Sequence, residues 1–161
     1  MNSRDFIAVS RDLLAAAQKG KLTQVRLRRA VSTAYYAVFH EICKMCADEL
    51  VVSQTGNQRM TRAWRHVYRG LNHGKAKAAC KKIEGNESKY NFPEELRNLG
   101  LNFSTLQEER HKADYDPRVR FKPADVGQLI DRAEKAIQEV AGVRPIHKKT
   151  FATFLLLPER D

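Results

Sequence analysis

The chain has 161 residues and a formal net charge of +10, a length that suits one domain able to bury its own core without disulfides or a structural metal. It holds no apolar run of the roughly 18 residues needed to span a bilayer, and its first segment, MNSRDFIAVSRD, lacks the basic-then-hydrophobic order of a signal peptide, so a soluble, unprocessed, cytoplasmic protein without membrane contact is expected. Three cysteines, an odd number, argue against a disulfide framework, and the positive excess points to a polyanionic partner.

In chain order, Ser3 is placed to cap a first helix that runs to about Ala17, with Phe6, Ile7, Leu13, Leu14 and Ala17 inward and Gly20 beyond its end. A short basic link, Lys19 to Lys21, leads to a long central helix over 26–50. There Leu27, Val31, Ala34, Tyr35, Val38 and Ile42 recur at steps of three and four and form one apolar stripe. The reverse face carries Arg29, Ser32, Tyr36, Phe39, His40 and Cys43, too apolar for a wet surface and too polar for an ordinary core. Such a helix is enclosed on both sides, and in a short chain the second cover can come from another copy, whose seam the polar groups would line. Arg26, Arg28 and Arg29 oppose the dipole at the helix start, so an anion is expected near that end.

Ser53 to Asn57 reads as a turn, followed by a helix from about Gln58 to Leu71 with Met60, Ala63, Trp64, Val67 and Leu71 on one side. Arg62, Arg65, His66, Arg69 and His73 collect on the other. Asn72 to Gly74 breaks this helix, Lys75 to Ile83 forms a further short helical piece, and Gly85 to Asn91 reads as a loop. No Asp or Glu occurs from Leu50 to Ile83, whereas Arg59, Arg62, Arg65, Arg69, Lys75, Lys77, Lys81 and Lys82 do. Such a stripe fits nucleic-acid phosphates better than anionic lipid, because it lacks a strongly hydrophobic face; a solvated basic surface is the plainer alternative.

Pro93 opens a fourth long helix with Glu94 and Glu95 in its first turn. Its apolar register, Leu96, Leu99, Phe103 and Leu106, continues onto Arg110 and Ala113, which puts a guanidinium on the core-facing stripe. Such a group needs partners or a groove, and Asp114, one turn on, is the nearest candidate. A fifth helix spans Pro123 to Val140, with Val126, Leu129, Ile130, Ala133, Ile137 and Val140 inward. Alternation of Phe151, Thr153 and Leu155 with Ala152, Phe154 and Leu156 suggests an extended tail laid on the bundle or on a partner. The expected architecture is therefore all-α: a helical domain over 1–143 and a tail over 144–161.

The segment RRAVSTAYYAVFH (28–40), followed by RHKADYDP (110–117), resembles the HEPN domain family, closest to its small stand-alone bacterial members. The resemblance covers roughly residues 3–141 and implies a four- to five-helix up-and-down bundle, usually a homodimer. It further implies RNA as the target, with no metal or other cofactor. Many relatives of this kind are metal-independent endoribonucleases, toxins paired with a nucleotidyltransferase-like antitoxin, or subunits of phage-defence systems. Their signature is an arginine followed four to six residues later by a histidine. Here Arg110 supplies the arginine, but Tyr115 stands where the histidine could be and His111 is adjacent to Arg110, so the chain departs from the nuclease pattern.

Metal-free RNA cleavage needs a proton acceptor for the ribose 2′-hydroxyl, a proton donor for the leaving 5′-oxygen and a cation on the phosphate. Arg110 suits the phosphate, and His111, Tyr115 and His40 are candidates for proton transfer, with Asp114 beside the arginine. Arg29, Ser32 and Tyr36 could complete a groove in which two copies of Arg110 meet, with Arg62, Arg65, Arg69, Lys75 and Lys77 extending the nucleic-acid track. Each has a duller reading: Arg110 with Asp114 as a structural ion pair, His111 in solvent, Tyr115 anchoring its loop, His40 as an ordinary interface residue. His40, Cys43 and Cys46 spread around the helix at spacings of three and lack a second cluster, which argues against zinc. A non-catalytic HEPN module binding nucleic acid, nucleotide or protein is the second reading, and a structural partner docking through Phe151 to Leu157 the third.

Overall fold

The computed structural model describes residues 2–18, 20, 22–51, 58–84 and 91–157, apart from the side chains of Gln58 and Arg59, and the described residues form helices with no strand. The helices are α1 (Ser3–Ala17), α2 (Thr23–Leu50), α3 (Gln58–Gly70), α4 (His73–Ile83), α5 (Glu94–Tyr115), α6 (Pro123–Ala141) and α7 (Pro145–Leu156). The expected turn at Ser53 to Asn57, most of the loop at Gly85 to Asn91, the linking residues Lys19 and Lys21, and the Arg59 side chain lie outside the described residues.

α2 is the axis, and both of its faces are covered by the same chain, since α1, α3, α5, α6 and α7 all pack on it. Leu27, Val31, Ala34, Tyr35, Val38 and Ile42 are fully buried, and on the reverse face Ser32, Phe39 and Cys43 are buried as well. A second copy is therefore not needed to cover α2, which corrects that expectation. Each fully buried Leu, Ile, Val or Phe contributes about 1.5–3 kcal/mol relative to exposure, and the largest of them, Tyr35, Phe103, Phe151, Leu27 and Ile42, cluster along this axis. α4 lies closely on α5 at Gly100, where an added Cβ would come within 3.3 Å of Cys80 Cβ and 3.4 Å of its carbonyl oxygen, so a side chain there would press α4 outward by a few tenths of an ångström.

Several local expectations are corrected. The cap of α1 is Asn2, whose side chain accepts from the Arg4 amide, while Ser3 is buried and donates to Glu41 Oε2. Residues 145–156 are helical, not extended, because Pro145 occupies the first turn of α7 and Phe151, Ala152 and Leu155 share one buried face. The spacing of one and four among these three is helical, and it competes with the alternation that the surrounding Leu and Phe residues mimic. The expected short helical piece at Lys75 to Ile83 is α4, and with the unexpected α7 it brings the described helices to seven.

The basic start of α2 also receives a structural explanation for two of its three arginines. Arg26 Nη1 donates to the Ala16 carbonyl at 2.7 Å, satisfying an acceptor at the end of α1. Arg28 donates through Nη1 to the carbonyls of Lys112 (3.4 Å) and Ala113 (2.7 Å), and through Nη2 to those of Asp116 (2.8 Å) and Val119 (2.7 Å). The Lys112 carbonyl also accepts the Asp116 amide, but those of Ala113, Asp116 and Val119 lie at the end of α5 and in the turn beyond it, so Arg28 caps α5 from a neighbouring helix. Gln24 adds a reciprocal pair with the Phe121 backbone, donating to its carbonyl at 2.9 Å and accepting its amide at 3.1 Å.

Candidate functional site

The clamp at the start of α2 fixes the last turn of α5, and about two turns further along α2 the chemistry changes. Arg110 on α5 reaches α2 at Tyr36, where its Nη2 donates to the hydroxyl at 3.3 Å. The guanidinium carbon lies 5.7 Å from the centre of the Tyr36 ring, 5.8 Å from that of Tyr35 and 5.6 Å from that of Tyr115. Asp114 flanks it with Oδ2 2.7 Å from Arg110 Nε, within ion-pair range. Yet the buried Nε–H has no hydrogen bond, so the contact is one of charge rather than of directed bonding. The Asp114 carboxylate also accepts from Ser32 Oγ at a long 3.4 Å. Burial opposes the charge on Arg110, but Tyr36, Asp114, Tyr115 and Tyr35 together outweigh it and hold the group above its ordinary value.

Arg110 is thus on the core-facing seam but not sealed in it, with its side chain 23% exposed. Among the described residues its only hydrogen bond is the one to Tyr36. The remaining Nη donors are free for an anion, and a planar fork of this kind fits two phosphate oxygens.

Two imidazoles border the same aromatic patch. The His40 ring stacks 6.1 Å from Tyr36 and 5.1 Å from Phe6, and its Nδ1 is 2.9 Å from the Tyr68 hydroxyl. His73, the first residue of α4, lies edge-on 6.3 Å from Tyr36, stacks on Phe39 at 3.8 Å, and has Nδ1 2.5 Å from the Tyr35 hydroxyl. Burial lowers both imidazoles below the ordinary histidine value, with His73 adding to the effect on His40 and Arg110 to that on His73. Neither is a strong cation at neutral pH.

His73 is the residue that sequence reasoning missed, having been grouped with the basic side of α3. Asn72 ends that register: its side chain accepts the amides of Gly74 and Lys75 and starts a new helix, turning His73 toward α2 and α5. An asparagine two residues after Gly70 was the available signal.

The remaining sequence candidates separate into groups. His111 and Tyr115 are exposed and their rings meet at 4.9 Å, forming a lip beside Arg110; Tyr115 is 64% exposed, so it does not anchor its loop in the core. Arg29 is exposed and its side chain makes no bond to this cluster. Arg62, Arg65 and Arg69 are exposed along α3 and form no hydrogen bond or ion pair among the described residues, and Lys75 is exposed at the start of α4. Lys77 is different: α5 brings Glu108 to 3.0 Å from its Nζ, so it is neutralised by an acid remote in sequence. Trp64 fixes the base of α3 by donating to Asp48 Oδ1 at 2.8 Å and stacking on Tyr68 at 4.9 Å.

Cys43, Cys46 and Cys80 are buried, and burial pushes the Cys43 and Cys46 thiols up to about 12 and Cys80 higher, which leaves them protonated. Among the described residues no group of three or more His, Cys, Asp or Glu is arranged to hold a metal ion, and no helix is long and apolar enough to cross a membrane. Compared with known proteins, the chain matches no family model, no curated protein and no solved structure.

Proposed function

We propose that the chain is an RNA-directed protein of HEPN type that cleaves RNA without a metal ion, with Arg110 seating the scissile phosphate. The observation that carries this reading is a partly buried guanidinium with spare Nη donors, held against Tyr36 on a patch that two imidazoles border. The reaction is an internal transesterification: the 2′-oxygen attacks the adjacent phosphorus, its proton passes to a base, the bond from phosphorus to the 5′-oxygen breaks, and that oxygen gains a proton. The products are a 2′,3′-cyclic phosphate and a 5′-hydroxyl, and no co-reactant is required. Arg110 would neutralise the growing charge on the phosphate. His111, exposed on the lip formed with Tyr115, and His40, stacked on Tyr36, are the proton carriers of this proposal.

Arg62, Arg65 and Arg69, free along α3, offer the approaching strand sequence-independent phosphate contacts. A homodimer facing two such patches together, and an antitoxin or defence-system partner, belong to the same proposal. A second reading, RNA binding without cleavage, is favoured by the Asp114 carboxylate beside Arg110 and by the lowered imidazoles.

Incubation of RNA with the protein in EDTA tests the reading. Cyclic-phosphate ends produced by wild type and lost in Arg110→Ala support it. Intact RNA that is nevertheless bound in a salt-sensitive way supports the second reading instead.

A further inference from the structure

His73 and Arg110 come from different helices but flank the same two rings, Tyr35 and Tyr36. α5 ties them together, because Gln107, three residues before Arg110, donates from Nε2 to the His73 carbonyl at 3.3 Å. The ring of His73 is held by Phe39 on one face and by the Tyr35 hydroxyl at Nδ1.

Tyr35 is wholly buried, and among the described residues its hydroxyl has one hydrogen-bond partner, His73 Nδ1. Burial raises the phenol well above its ordinary range, so it keeps its proton. A buried hydroxyl must place that proton on an acceptor, and only an unprotonated Nδ1 can accept. The neutral imidazole then carries its hydrogen on Nε2, at the ring edge opposite Tyr35, and His73 is an exposed residue. The amides of Gly74 and Lys75 are already taken by Asn72, so neither competes with the imidazole as a donor here.

We propose that His73 is a second phosphate ligand of the Arg110 site, an uncharged imidazole donating Nε2–H to a phosphodiester oxygen, with Tyr35 as the positioning residue that fixes its tautomer. The proposal rests on the phosphate reading of Arg110 but not on cleavage. A neutral donor adds affinity without displacing a counterion, and this separates His73 from a basic residue that merely attracts RNA.

The probe is a fluorescent 2′-O-methyl RNA oligonucleotide, which lacks the attacking hydroxyl, titrated at pH 7.5 over a potassium chloride series. His73→Leu should weaken binding roughly tenfold while leaving the slope of log affinity against log salt unchanged. Arg110→Ala should make that slope shallower by about 0.7, the value for one phosphate contact on a single strand. His73→Gln, which keeps an N–H near the Nε2 position, should restore most of the affinity. Nitrogen NMR of the free protein should report the Nε2–H tautomer in wild type and a mixture of tautomers in Tyr35→Phe. Wild-type affinity in His73→Leu, a slope change equal to that of Arg110→Ala, or an Nδ1–H tautomer would each overturn the proposal. If wild type binds the probe but leaves unmodified RNA intact in EDTA, the nuclease reading fails and the donor assignment stands. If wild type does not bind even at low salt, both fail.

Discussion

Arg28 and Arg110 lie on the same seam between α2 and α5, two turns apart along α2, and they are used in opposite ways. Arg28 is saturated: both of its terminal nitrogens are committed to backbone carbonyls at the end of α5 and in the following turn. Arg110 makes one long hydrogen bond and one charge contact in which its N–H is not aimed at the oxygen. A guanidinium with every donor directed at a carbonyl stabilises a fold, whereas one with donors to spare on an aromatic patch is equipped to meet an anion. Position in sequence does not distinguish the two, since both lie near an end of their helix.

Substitutions that separate fold from site sharpen this contrast. The largest effect is expected for Arg28→Ala, which takes a donor from the part-buried carbonyls of Ala113, Asp116 and Val119 and should cost about 3 kcal/mol of stability, read as a lower urea midpoint. Arg28→Lys should recover little, because an ammonium cannot span the same acceptors. Arg110→Ala should lower RNA cleavage about hundredfold or more but stability by only about 1 kcal/mol. Equal losses of stability in the two alanine variants would erase the distinction.

A smaller effect concerns pH. His40 and His73 titrate below the ordinary histidine value in the folded chain, so the unfolded chain binds more protons in the window from those lowered values up to about 6.5. Their contribution to stability is complete above about pH 6.5 and is lost as pH falls through the folded values. Urea midpoints at pH 7.5 and 5.5 should therefore differ more in wild type than in a His40→Asn, His73→Asn double variant. The smallest effects belong to Arg62, Arg65 and Arg69: each change to Ala should weaken RNA binding only a few-fold, reduce the salt slope by about 0.7, and leave the urea midpoint unchanged.

Much of the helical framework was legible in the sequence. The steps of three and four that mark α1, α2, α5 and α6 lie within a few residues of the observed ends, because their apolar positions all face one core. The C-terminal helix was less legible, since neighbouring Leu and Phe residues fit either period and only the buried trio Phe151, Ala152 and Leu155 separates them. At the candidate site, Arg110, Asp114, Tyr36 and His40 stood out by register, and the structure brings them together. His73 and Lys77 were legible only as members of the basic run, because what each touches comes from α2 or α5 rather than from neighbours in the chain. Pairing across helices is a property of the packed bundle, and a basic run read alone overstates the charge available to a ligand.

The place of α7 bears on how the molecule is made. Its Phe151, Ala152 and Leu155 close over α2, an element translated long before them. While the ribosome is still adding α5 and α6, the axial helix is left with a greasy flank uncovered. A nascent chain stalled short of α7 should therefore be a target for chaperones.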